Sequence, residues 1–396
     1  MPIPTPFHSR TAALCESYDW RDWSGYIAAG LYEPTHDREY FSVRNAAGLF
    51  DISPLFKYEI NGPDALRLVD RVMTRDITRC DVGQVIYSPW CDDDGQVIDD
   101  GTITRLDTDR FRVTSAHPNL RWFQDVGYGM EVTVTDVSTQ LGALALQGPN
   151  ARKILQAAVS GVDFDSLKYF RLARGKAGNI PLEITRTGYT GDLGYELWIA
   201  AEQAGPLWDA LMTHGEGYGI TPAGLVALDI VRIEAGLLLV DVDYISSHKA
   251  LIEAQKSSPF EIGLGWTVNL NKADFIGRRA LLAEKENGSA WQFVGLEIDW
   301  VALEQLYNAV DLAPQVAGRA SRAAVPIYKN GRQIGQVTSR TFSPVLKKYI
   351  AIGTVESRHV ALGAQYEIEI TVEYRRERAP ATVVKTPFFN PKRKRA

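Results

Sequence analysis

The chain has 396 residues, 45% of them hydrophobic and 23% charged, with a formal net charge of −5. That length exceeds one small core and points to two or three domains of ordinary globular composition. The acidic balance offers no field for nucleic acid, and the longest apolar runs, such as Leu237-Leu-Leu-Val240, are far too short to span a bilayer.

The start, Met1-Pro-Ile-Pro-Thr-Pro-Phe-His8, has no basic-then-apolar signal, so a cytoplasmic protein is expected. Cys15, Cys80 and Cys91 are odd in number and lack paired spacing, so they read as free thiols in a reducing compartment, and no metal site is expected. Alternating apolar and polar residues mark strands at Lys57-Tyr-Glu-Ile60, Arg110-Phe-Arg-Val-Thr114 and Glu131-Val-Thr-Val-Thr135. Helical spacing interrupts them at Pro63 to Val72, Pro206 to Met212 and Leu225 to Glu234, the first opening on a proline suited to a first helical turn. Strands and helices mixed without regular βαβ alternation make the fold class α+β. From Trp291 onward, Phe293–Ile298, Ala324–Tyr328, Gln336–Thr338 and Gln365–Ile370 are short strands between turns such as Lys329-Asn-Gly331, the pattern of a small antiparallel barrel. The division expected is 1–285, two intertwined regions with 55–140 as the second, and 290–390 as the barrel. The basic end Lys392-Arg-Lys-Arg395 has no interleaved aromatics and reads as a solvated tail.

Two stretches carry the chemistry. In Arg186-Thr-Gly-Tyr-Thr-Gly-Asp-Leu-Gly-Tyr-Glu-Leu-Trp198, glycines 188, 191 and 194 form a tight turn that feeds a strand, and Glu196 sits beside an apolar run. A carboxylate there needs a partner. An arginine or backbone donor is the ordinary one, and a heterocycle with two adjacent N–H donors, as in a pterin, is another. In Cys91-Asp-Asp-Asp-Gly-Gln-Val-Ile-Asp-Asp100, calcium is excluded because Trp90 would fall at the first ligand position. Asp92, Asp93 and Asp94 then belong to a hairpin turn around Gly95. Asp99 and Asp100 lie past it on opposite faces of a strand. There is no nucleophile-elbow pentapeptide, phosphate loop or dinucleotide fingerprint. The six histidines form no ligand pair, and His117, after Ser115-Ala116, is the one singled out for testing.

The G-Y-T-G-x-x-G-Y-E block resembles the hallmark of the glycine-cleavage T-protein, a folate-dependent aminomethyltransferase. Ala46–Ser53, Gly95–Asp100, Leu146–Ala151, Arg232–Gly236, Phe275–Arg278 and Thr341–Pro344 resemble further blocks of that superfamily in the same order. The resemblance implies a three-domain cloverleaf around a central folate channel, with a C-terminal antiparallel barrel. It implies tetrahydrofolate as cofactor. It also implies roles: Asp99, favoured over its neighbour Asp100, facing the reactive N5; Glu196 holding the pterin edge; Tyr87 and Tyr189 walling the channel; Thr114 lining it, where the family has Asn; and Arg232 and Arg375 balancing buried carboxylates or the glutamate tail. The bland alternatives are core aromatics, a structural ion pair for Arg232 and an exposed Arg375.

Departures from the family pattern shape the expected substrate. Leu228 replaces an Arg, Pro54 a His, Asp241 to Ala250 lacks the family's G-x-E-M-D-E, and Ile298 to Ala320 carries an insertion with Trp300 and Tyr307. A lipoyl carrier partner is therefore not expected. The resemblance then favours a demethylase that moves a methyl group from a small N-, O- or S-methyl substrate to tetrahydrofolate, with glycine-cleavage aminomethyl transfer as the alternative. A non-catalytic folate-binding assembly factor fits less, because that family carries K-G-C-Y-x-G-Q-E where this chain has Asp274-Phe-Ile-Gly-Arg-Arg-Ala280.

Overall fold

The structure, a computed structural model, describes residues 1–316 and 318–395. A six-stranded sheet runs Leu172–Ala177, Ile180–Thr185, Gly194–Ala200, Leu141–Gln147, Ala47–Asp51, Ile220–Pro222. Its neighbours are antiparallel except the last pair, which is parallel. Strands covered on both faces read as continuous apolar runs, and Leu141-Gly-Ala-Leu-Ala-Leu146 does. Helices Ala151–Ala158 and Ala204–Gly215 cover one face through Ile154, Leu155, Leu207 and Trp208. Asp37–Asn45 and Leu225–Glu234 cover the other through Tyr40, Val43 and Ile230.

A second, antiparallel sheet orders Val85–Cys91, Val97–Asp107, Arg110–Ser115, Phe56–Asn61 and Thr133–Asp136. One face buries Ile103, Phe111 and Val113 against helices Ala65–Val72 and Leu120–Val126. The opposite face, with Tyr87, Asp100, Thr102, Arg112 and Thr114, turns toward the six-stranded sheet. There the Arg112 guanidinium donates to Glu183 at 2.7 Å and lies 4.7 Å from the ring centre of Trp198.

The C-terminal strands close into a six-stranded antiparallel barrel, Trp291–Ile298, Lys348–Glu356, Arg332–Ser343, Val325–Lys329, Gln365–Val372, Arg375–Val384, as the short strands and turns predict. Within the Ile298–Ala320 insertion, helix Trp300–Asn308 starts on Asp299, whose carboxylate accepts from the Ala302 N–H at 3.0 Å. Leu303 and Tyr307 on it enter the barrel core. Ala317 of the insertion lies outside the described residues.

Helix Leu225–Glu234 joins these bodies through charge. Arg232, 1% exposed, donates to Asp229 at 2.8 Å, to Asp243 at 2.5 Å and to Ser339 of the barrel at 2.8 Å. Its donors are spent inside the protein, so Arg232 balances buried carboxylates and does not reach a ligand tail. Glu234 accepts from Arg44 Nε at 2.8 Å, Tyr40 at 2.5 Å and Ser343 of the barrel at 2.6 Å. The basic end is also not a solvated tail. Arg393 makes a bidentate pair with Asp192 at 2.7 and 2.8 Å, and Phe389 lies under the Arg44 guanidinium at 4.2 Å. A buried carboxylate in the glycine-rich turn, invisible to local sequence, draws it in.

Truncating one partner of a buried pair strands the other, so Arg232→Met should lower stability by about 3–5 kcal/mol. Arg375→Met, at the exposed start of a barrel strand, should stay within about 0.5 kcal/mol, both read from denaturant midpoints.

Candidate functional site

Where the two sheets face each other, the structure places four of the expected residues along a seam that also holds a carboxylate. That carboxylate is Asp100, not Asp99. Strand pairing sets Trp90 opposite Asp99 but Cys91 opposite Val97, so a bulge leaves Ile98 as an extra residue and shifts the alternation by one. Asp99 therefore turns into the helix-covered face and is fully buried. Its oxygens accept from the Asp100 N–H at 2.8 Å, the His117 N–H at 2.9 Å and Asn119 Nδ2 at 3.0 Å. Those donors satisfy it where it stands.

Asp100 is half-buried on the seam. It accepts from the Tyr87 hydroxyl at 2.6 Å and from the Tyr244 hydroxyl. Tyr189 is near enough for Asp100 to add to the effect of burial in pushing its phenol up, and its hydroxyl donates to the Leu238 carbonyl. Burial raises the pKa of Asp100, while the two phenols oppose the rise. Burial likewise raises Asp99, helped by the charge of Asp100. Thr114 lies on the same face, its Oγ1 2.7 Å from that of Thr102. Outward from Tyr87, the Trp266 ring stacks at 6.2 Å and 23°, and the Arg75 guanidinium sits 5.5 Å from the Trp266 ring.

Glu196 lies across the seam, half-buried on strand Gly194–Ala200. Thr187 donates to it at 2.8 Å, and Arg112 is near enough to steady its charge, though burial still pushes the carboxyl up. Close packing of the turn explains its glycines: a Cβ at Gly188 or Gly194 would meet Gln147 Oε1 at 2.0 or 2.1 Å. Thus Tyr87, Thr114, Tyr189 and Glu196 share the seam. Arg375 does not join them; it is exposed at the start of a barrel strand, beside Tyr374. An open cavity of about 400 Å³ lined by Lys168, Arg171 and Arg174 lies elsewhere, on the outer edge of the six-stranded sheet.

Residues 6–272 match the GCVT N-terminal domain, and residues 309–390 match the glycine cleavage T-protein C-terminal barrel domain. The chain belongs to the glycine-cleavage T-protein family. An aminomethyltransferase from Halothermothrix orenii is 37% identical over 358 residues, which cover 89% of this chain and 90% of that protein. A trimethylamine-oxide aldolase from Ruegeria pomeroyi is 34% identical over 404 residues, 99% of this chain but 47% of that longer protein. The solved aminomethyltransferase T of the glycine cleavage system from Bartonella henselae superposes with a TM-score of 0.83 at 25% identity, over 98% of this chain and 99% of that one. This T-protein family member is accordingly an enzyme, a transferase. Among the described residues no helix is long and apolar enough to cross a membrane.

Tyr244 is the site residue that sequence reasoning missed. Its only signal was its place in Asp241 to Ala250, where the chain departs from the family form. Trp266 carried none. Because Asp99 is held by three N–H groups, Asp99→Asn sets an amide against donors and should cost about 1–3 kcal/mol in unfolding experiments. Asp100→Asn should cost less, since the two phenols can turn.

Proposed function

We propose that this protein is a tetrahydrofolate-dependent one-carbon transferase whose substrate is a small methylated compound. The observation that carries the reading is the placement of Asp100 and Tyr87 on one sheet of a T-protein fold, Glu196 on the sheet that faces it, and Tyr189 in the turn before the Glu196 strand. When bound, tetrahydrofolate supplies the N5 nitrogen that accepts the carbon. The residues fit such a ligand. Glu196, half-buried with hydroxyl partners and no ion pair among the described residues, can accept from the paired N–H groups of a pterin edge. Tyr87, Tyr189 and Thr114 would line its sides. Asp100 holds two exchangeable phenol bonds, and a ligand N–H can replace one of them. Its carboxylate would then stabilise positive charge developing at the attacking nitrogen, in a place where burial strengthens the effect.

The departures from the family pattern support the substrate reading. Leu228 cannot make the contact of an Arg, and the residue beside it, Asp229, is already held by Arg232 at 2.8 Å and Arg322 at 2.7 Å. The altered segment Asp241–Ala250 and the kinship with a trimethylamine-oxide aldolase favour a methylated amine. Aminomethyl transfer is the second reading, favoured by relatives of that name at 36–37% identity.

Purified protein with tetrahydrofolate and methylated amines, ethers or sulfonium compounds should yield 5-methyltetrahydrofolate, read by mass. Faster folate-dependent ammonia release from an aminomethyl-lipoyl carrier would replace demethylation with aminomethyl transfer. Glu196→Gln should weaken tetrahydrofolate binding by about 1.5–3 kcal/mol in calorimetry. Asp100→Asn should lower turnover on the order of 10² to 10³-fold with little change in that affinity. Since burial raises Asp100 and the ionised form acts, wild-type turnover should climb with pH through a midpoint above the ordinary carboxylate range. Asp100→Asn should abolish that climb.

A further inference from the structure

His117 spans two environments. Its Nε2 lies 2.8 Å from Asp241 Oδ2 and 2.9 Å from Lys249 Nζ, and those two groups are 2.9 Å apart. The Asp241 and Lys249 side chains are 41% and 50% exposed, against 15% for His117. At the other end of the ring, Nδ1 is buried and has no hydrogen-bond partner among the described residues. An unbonded buried ring nitrogen is uncommon and calls for a reason.

Its surroundings supply one. The His117 main-chain N–H is fixed on Asp99, and the ring lies near enough to Asp100 for that carboxylate to favour its charged form. Asp241 acts in the same sense. Burial and Lys249 oppose them, and the net direction is downward, so the ring is neutral at neutral pH. One segment builds the whole arrangement: Asp241, held at a left-handed φ of +62°, and Lys249 clasp His117, while Tyr244 between them donates to Asp100. It is the segment in which this chain departs from the family pattern.

Lys249 offers Nε2 only N–H donors and Asp241 only an acceptor, so Nε2 serves one of the two; when it accepts from Lys249, the proton of the neutral ring sits on Nδ1. We propose that His117 is a catalytic proton donor, passing a proton from the exposed Lys249 to the departing nitrogen or oxygen of the substrate. This rests on the one-carbon transfer reading. The carbon–heteroatom bond breaks with its electron pair staying on the heteroatom, which takes the Nδ1 proton. Lys249 gives a proton to Nε2 and is recharged from water. The carbon is bonded by N5, whose displaced proton goes to Asp100 and then to solvent. The donors that depend on this proton are thus methylated amines and ethers, whose leaving atom needs one, while sulfonium and quaternary ammonium donors, whose leaving atom needs none, react without it.

Two measurements test this. Nitrogen-15 NMR of histidine-labelled protein, with His117→Gln to assign the signal, should show the Nδ1–H tautomer in the wild type at neutral pH. Lys249→Met should convert it to Nε2–H, donated to Asp241. A wild-type Nε2–H tautomer, or one indifferent to Lys249→Met, overturns the proposal. In turnover, His117→Gln should slow amine or ether donors about 10²-fold and leave sulfonium donors within about twofold. Equal losses on both would make His117 structural. If the wild type demethylates nothing, the functional reading fails, and the NMR result alone decides whether His117 presents a proton.

Discussion

The structure depends on the buried charges of one helix. Leu225–Glu234 carries Asp229, Arg232 and Glu234, all buried; Arg232 and Glu234 both reach the barrel, through Ser339 and Ser343, and Glu234 also holds Arg44 and Tyr40 of helix Asp37–Asn45. Arg232 also donates to the Leu237 carbonyl at 3.3 Å, and its partner Asp243 accepts from the Leu239 N–H at 2.8 Å. The same contacts therefore shape the loop that presents Leu238 to Tyr189 and Tyr244 to Asp100. Apolar residues of equal volume would hold the bodies together as well or better, because desolvation offsets much of the gain from buried ion pairs. What charges add here is direction: only one placement of barrel, helix and sheet satisfies Arg232, Asp243 and Ser339 together. We take that orientation to be what keeps the seam residues aligned.

Much of this was legible in the sequence, and the exceptions have physical causes. Period-2 alternation located the strands around Tyr58 and Phe111, because one face of that sheet packs on helices and the other does not. The Leu225–Glu234 helix and the barrel strands fell where spacing and turns put them. The glycine-rich turn pointed to Glu196, since close packing against Gln147 leaves a visible pattern of small residues. The resemblance favours Asp99 over Asp100, and alternation offers no check on it because a bulge is not written in the pattern. Ile98 looks like any strand residue until the opposite strand is seen. Tyr244 and Lys249 approach the site through loops of the chain without regular periodicity, and the docking of Arg393 on Asp192 spans 201 positions.

Two of the departures from the family pattern bring polar or charged groups to buried or half-buried carboxylates. Leu228 removes a charge beside Asp229, and Arg322, near the barrel, supplies another to the same carboxylate. Asp241 to Lys249 puts a phenol on Asp100 and a charged pair on His117. The fold is thus shared with its relatives while the polar groups around the central carboxylate have been redistributed. A fold alone does not carry a substrate assignment.

The contact between Arg393 and Asp192 also bears on how the protein is made. Arg393 donates to the Arg44 carbonyl across 349 positions of sequence and pairs with a carboxylate inside the glycine-rich turn. On a ribosome adding roughly 5–20 residues per second, the first of these partners waits roughly 17–70 s for the last. During that interval Asp192 and Arg44 have each other, at 3.6 Å, but not the cation that completes the cluster. The turn beside Glu196 therefore takes its final form only after the barrel strands have been synthesised.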